Sequence, residues 1–165
     1  MLRIICFIIC SSFLFLESPP QQDWRGLLPL KSTRSDVERL LGPPDVNQKN
    51  QVLIYYQTDQ VVSIGFSGNP QCQQKLPYTS WSVSLDTVTG ITVDLRKSVP
   101  IADTHIDLTR LKKRRGDSDL LTHFYYSNEE NGFSMEVGAD YLIGYHYEPS
   151  SRQSHLQCPI NQGAR

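Results

Sequence analysis

An α+β fold is the class this sequence predicts: a short N-terminal helix packed on a curved antiparallel sheet of about six to seven strands. Three observations predict it. Only one segment, around residues 33–41, has a convincing helical period. Several later runs alternate apolar and polar residues, the pattern of half-buried antiparallel strands. Turn-forming residues separate those runs. The length of 165 residues suits a single domain.

The chain opens on "MLRIICFIICSSFLFLESPPQQ". Arg3 is the only early charge, and the thirteen residues from Ile4 to Leu16 carry none. That run is short for a bilayer span, which takes about 20 residues, and has the length of a signal-peptide apolar region. Residues 1–18 are therefore expected to be a removable leader, with 19–23 a polar tether and 24–165 the folded domain. The expected location is periplasmic or extracellular, with no transmembrane span after processing. Cys10 offers a second route, lipid attachment, but Ile9 before it is bulky where such sites carry a small residue.

The helix is specified residue by residue. Thr33 can cap it, and Asp36 stands three positions on, the spacing of a capping box. Val37, Leu40 and Leu41 fall at i, i+3 and i+4 and are expected to form one buried stripe. Gly42 suits a helix stop, and Pro43-Pro44 prevents continuation. So short a helix needs tertiary packing, because isolated helices require about 12–15 residues. Arg34 and Arg39 are expected on its exposed face.

The strands follow. "VLIYYQ" and "VVSIGFS" flank Thr58-Asp59-Gln60 as a hairpin. "WSVSL" and "ITVDLRK" alternate in the same way. "LLTHFYY" and "FSMEV" flank "SNEENG", and "YLIGYHY" closes the set. Residues 98–119 read as a long connection, and the chain after Glu148 as a polar tail. If the leader and its two cysteines are lost, Cys72 and Cys158 remain, and an even pair in an exported protein reads as a disulfide.

"STRSDVERLLGPP" resembles the opening helix of the SmpA/OmlA-type outer-membrane assembly lipoproteins, the BamE family. The matching positions are Thr33, Val37, Leu40, Leu41, Gly42 and Pro44. The wider opening, from Trp24-Arg25-Gly26-Leu27 through the helix, is similar to that of an uncharacterised family of exported bacterial proteins. The resemblance covers about thirteen residues and implies a compartment and a fold style. Against the lipoprotein pattern, this chain has more strands, no clear second helix and no well-placed lipid cysteine.

Charge and chemistry bound the function. With 16 Lys+Arg against 17 Asp+Glu, the chain lacks the basic excess of a nucleic-acid coat, and no nucleic-acid partner is expected. "RLKKRR", residues 110–115, packs five cations into six positions. Lys112, Lys113, Arg114 and Arg115 are candidate contacts for an anionic envelope component or an envelope protein. Asp117 and Asp119 follow and would offset them in part. Tyr141, Tyr145 and Tyr147 are expected on one strand face, where tyrosine suits either recognition or a half-buried sheet. His146 and Glu148 also share a face, and His123 on a neighbouring strand would complete a nitrogen-and-oxygen metal site. No Gly-x-Ser-x-Gly element occurs, and Glu129-Glu130 sit in a hairpin loop where acids are common. No cofactor is expected. The preferred function is a non-enzymatic exported domain that binds or scaffolds in the cell envelope. The alternative is a metal-assisted hydrolase using His123, His146 and Glu148.

Overall fold

The computed structural model describes residues 22–49, 51–68, 72, 80–116 and 122–159. The expected leader, Cys10, Asp117 and Asp119 lie outside the described residues. Within them the fold is α+β: one α-helix and an eight-stranded antiparallel sheet that does not close on itself.

The helix, α1 (Arg34–Leu41), is capped as its sequence dictates. Thr33 Oγ1 accepts from the Asp36 N–H at 3.3 Å, and the Thr33 N–H donates back to Asp36 Oδ2 at 2.9 Å. The Thr33 N–H and hydroxyl together hold the Asp36 carboxyl below the usual carboxylate range. Gly42 ends the helix at φ 79°, its N–H bonded to the Glu38 carbonyl.

The stripe is narrower than its period suggests. Val37 is fully buried and Leu41 half-buried, but Leu40 is 45% exposed. In this eight-residue helix Val37 is the one fully buried residue, so little more than one turn of side chains meets the core. Arg34, expected in solvent, instead lies 4.3 Å over the Phe66 ring and pairs with Asp86 at 2.9 Å. Val37→Ala is therefore expected to lower the unfolding free energy by about 2–3 kcal/mol, and Leu40→Ala by about 0.5 kcal/mol or less. Urea denaturation of the two variants checks this. Equal losses would mean the helix docks on a different face.

The strands are β1 (Val46–Gln48), β2 (Val52–Tyr56), β3 (Gln60–Phe66), β4 (Val88–Pro100), β5 (Lys112–Arg115), β6 (His123–Asn128), β7 (Phe133–Gly138) and β8 (Tyr141–Tyr147). Their order in the sheet is β1-β2-β3-β4-β8-β7-β6-β5. Two four-stranded meanders thus meet at a single seam, β4 against β8. Both predicted hairpins, β2–β3 and β6–β7, are present.

Three segments differ from expectation. "WSVSL" is not a strand: Trp81 makes only an isolated bridge to Gln157, and Leu85 is 58% exposed beside Asp86, whose φ of 59° turns the chain. Strand β1 and strand β5 were both hidden by their polarity. Residues 98–119 accordingly hold the end of β4, two short 3-10 turns (Ile101–Asp103 and Leu108–Arg110) and β5. The predicted six to seven strands become eight because one expected strand is lost and two are gained.

One face of the sheet builds the core. Cross-strand partners such as Ile64 with Ile91 and Val62 with Val93 are buried together on it. Trp24, Leu27 and Val37 cover that face from the N-terminal segment and α1. The other face is mostly polar and half-exposed. The tail is pinned, as expected. Cys158 and Cys72 are bridged with their Cα atoms 5.3 Å apart, and the Cys158 N–H donates to the Ser80 carbonyl.

Candidate functional site

The polar face carries a cluster at the β5–β8 end. Register alone brings it together: Tyr125 on β6 lies opposite Glu136 on β7, and His146 on β8 lies opposite Ser134 on β7 and Thr92 on β4. His123 Nε2 approaches Glu136 Oε1 at 2.6 Å. His146 Nε2 lies 3.6 Å from the other carboxylate oxygen, Oε2. One carboxylate therefore bonds the His123 ring and lies near the His146 ring, with all three side chains no more than 20% exposed. Thr92 Oγ1 contacts His146 Nδ1 at 3.4 Å. The Tyr125 ring is close to both histidines, with centroids 5.3 Å from His123 and 6.0 Å from His146.

Two glycines make room for this arrangement. A side chain on Gly116 would collide with the His123 ring at Nδ1. Gly132, in the β6–β7 turn at φ 71°, lies so close to the Glu148 carbonyl that any Cβ would strike it. That approach, with the Glu148 N–H donating to the Gly132 carbonyl at 2.7 Å, folds the segment after β8 over the turn. The fold-over walls a concavity of about 530 Å³ whose lining includes Arg114, Tyr125, Ser127, Ser134, His146 and Glu148.

The structure separates the expected cations. In β5 all four are exposed and alternate between faces. Arg114 lies 5.4 Å over Tyr125 on the polar face, and Lys112 pairs with Glu129 at 3.1 Å. Lys113 lies on the opposite face, its Nζ 3.8 Å above Phe124 and 5.5 Å from the Tyr126 ring.

The tyrosines do not form one face. Glu136 pairs with Gly144 and Val137 with Leu142, so Ile143 has no opposite number on β7. This bulge reverses the side-chain parity of β8. Tyr145 and Tyr147 lie on the core side against Phe133, at centroid distances of 6.1 and 5.5 Å. Burial pushes both phenols up. Tyr141 points to the other side and is 46% exposed.

The expected metal ligands are only partly gathered. His123 and His146 come together, but through Glu136. Glu148 is exposed past the end of β8 and lines the concavity. Among the described residues no group of three or more His, Cys, Asp and Glu side chains is set to hold a metal ion. Glu136 was missed in the sequence because its partners sit on two other strands.

Fold and site together define an open-sheet α+β domain with an apolar side under a single helix, a polar side holding a His–Glu–His cluster, and a cationic edge strand. Comparison with protein-family models, curated proteins and solved structures gives no match for the chain. No described helix is long and apolar enough to cross a membrane.

Proposed function

We propose that the chain is a non-enzymatic domain exported to the cell envelope, where it binds an anionic partner through the β5–β6 end of its sheet. The observation that carries this reading is β5 itself: four consecutive exposed cations on a strand at the margin of the sheet. Aromatic rings of β6 lie beneath two of them and hold them in place. The uncharged run from Ile4 to Leu16, read as part of a leader, and the Cys72–Cys158 bridge support an oxidising compartment. The BamE-like opening helix is consistent with an envelope role. The partner class is an envelope protein or another anionic envelope component.

The test replaces Lys112, Lys113, Arg114 and Arg115 together by threonine, which keeps strand propensity while removing charge. Each cation near an anionic surface contributes about 1 kcal/mol, and salt screens it. The wild type is expected to bind polyglutamate or vesicles containing an anionic lipid at low salt, and the variant to bind neither. A wild type that binds neither probe sinks the reading.

A second reading is a hydrolase, favoured by the approach of His123 and His146 to one carboxylate beside a concavity. Ester hydrolysis by the wild type that is lost in Glu136→Gln would support it over the binding role.

A further inference from the structure

We propose that β5 is a docking edge that accepts an acidic, extended segment of another protein as an additional strand. The inference rests on the anionic-partner reading above and specifies how that partner is held.

The position is the first argument. β5 ends the sheet order, and among the described residues no strand pairs with its outer side. Its backbone polarity can be read from one bond. The Gly116 N–H donates to the His123 carbonyl at 2.9 Å, across the β5–β6 ladder. In an antiparallel pair the bonding direction alternates along the strand. Lys112 and Arg114 therefore direct their N–H and C=O groups to β6, and Lys113 and Arg115 direct theirs outward. An incoming strand would find donors and acceptors at two alternate residues, the minimum repeat of a ladder.

Among the described residues, the side-chain contacts of β5 run toward β6. Lys112 is drawn back to Glu129, Lys113 over Phe124, and Arg114 over Tyr125, all on the β6 side. None of these three contacts covers the outward backbone groups.

Charge then selects the occupant. A strand laid along β5 places one residue opposite each cation, on both faces at once, and opposite-charge cross-strand pairs are favourable. A run of successive Asp or Glu residues would meet all four cations. A flat anionic membrane would meet one face, and so two cations, at a time. A second copy of this chain is a poor occupant. Two β5 edges would set cation against cation, and the other sheet edge, β1, offers only Val46, Asn47 and Gln48. The lysine-rich edge thus repels its own kind, as protected edges do, while remaining open to acid.

The test uses the purified chain without residues 1–18 and a fluorescent peptide, acetyl-Thr-Val-Glu-Glu-Glu-Glu-Val-Thr-amide, read by anisotropy at low salt. Two further peptides of the same sequence carry backbone N-methyl groups on alternate residues, one on the odd set and the other on the even set. All three have the same charge. Strand addition predicts that one methylated peptide loses about tenfold or more in affinity, because it loses its bonds to β5, while the other binds like the parent. Equal affinities for both methylated peptides would overturn strand addition. Vesicles with an anionic lipid are run beside the peptides. Binding to vesicles with no binding of the parent peptide overturns strand addition but leaves the anionic-partner reading standing. Binding to neither removes both.

Discussion

Reducing the Cys72–Cys158 bridge is expected to lower the unfolding free energy by about 2–5 kcal/mol. The two cysteines are 86 positions apart, so the bridge removes a large loop's freedom from the unfolded chain. On the folded side the tail is also held by contacts other than the bridge. Cys158 is 3% exposed, and the chain beside it is bonded to residues 80–82 through Cys158 to Ser80, Leu156 to Ser82, and Gln157 to Trp81. None of those bonds involves the sulfurs, so they are expected to persist on reduction, which places the expected loss on chain entropy. Denaturant melts with and without reductant measure it. Thiol counting on the unfolded, unreduced chain lacking residues 1–18 should find none. Identical melts in both conditions would mean that the backbone bonds alone hold the tail.

Leu142→Ala is expected to cost about 2–5 kcal/mol, and Tyr141→Ala about 0.5 kcal/mol or less. Leu142 is 1% exposed and lies between Val137 on β7 and Val99 on β4. A cavity there opens at the junction of three strands, where none can relax without disturbing the others. The pair of variants also tests register. Without the bulge at Ile143, Tyr141 would join Tyr145 on the core side and Leu142 would face outward. A larger loss for Tyr141→Ala than for Leu142→Ala would show the unbulged register. Urea denaturation read by circular dichroism is sufficient.

Local signals were legible in the sequence, and relations between strands were not. Thr33, Asp36 and Gly42 specify the helix through contacts a few residues apart, and the structure has the cap they describe. The disulfide was legible by elimination. Leu40 was misplaced because periodicity names a stripe without saying how much of it finds a surface. β5 was missed because Lys112–Arg115 has no apolar alternation to mark a strand; its partner β6 supplies the rings that make it one. Tyr141 was misassigned because parity along β8 is broken at a residue, Ile143, with nothing unusual in its neighbours. The cluster around Glu136 depends on the registers of β6, β7 and β8 together, and a period-two pattern fixes none of them.

The β4–β8 seam sets the tempo at which the chain reaches its fold. Within each meander, partners are close in sequence: Tyr56 faces Val61, and Asn128 faces Phe133. Hairpins of that kind close in about 1–10 μs. Across the seam the partners are 41 to 56 residues apart, from Pro100 with Tyr141 to Ile91 with Tyr147. Loop-closure entropy must be met there before the pairing returns anything, so joining the meanders is the slow event and completion of the sheet waits on it. Cys72 precedes β4 and Cys158 follows β8, which puts one sulfur on either side of that event. Once formed, the Cys72–Cys158 bond ties together the ends of a stretch that contains both strands of the seam.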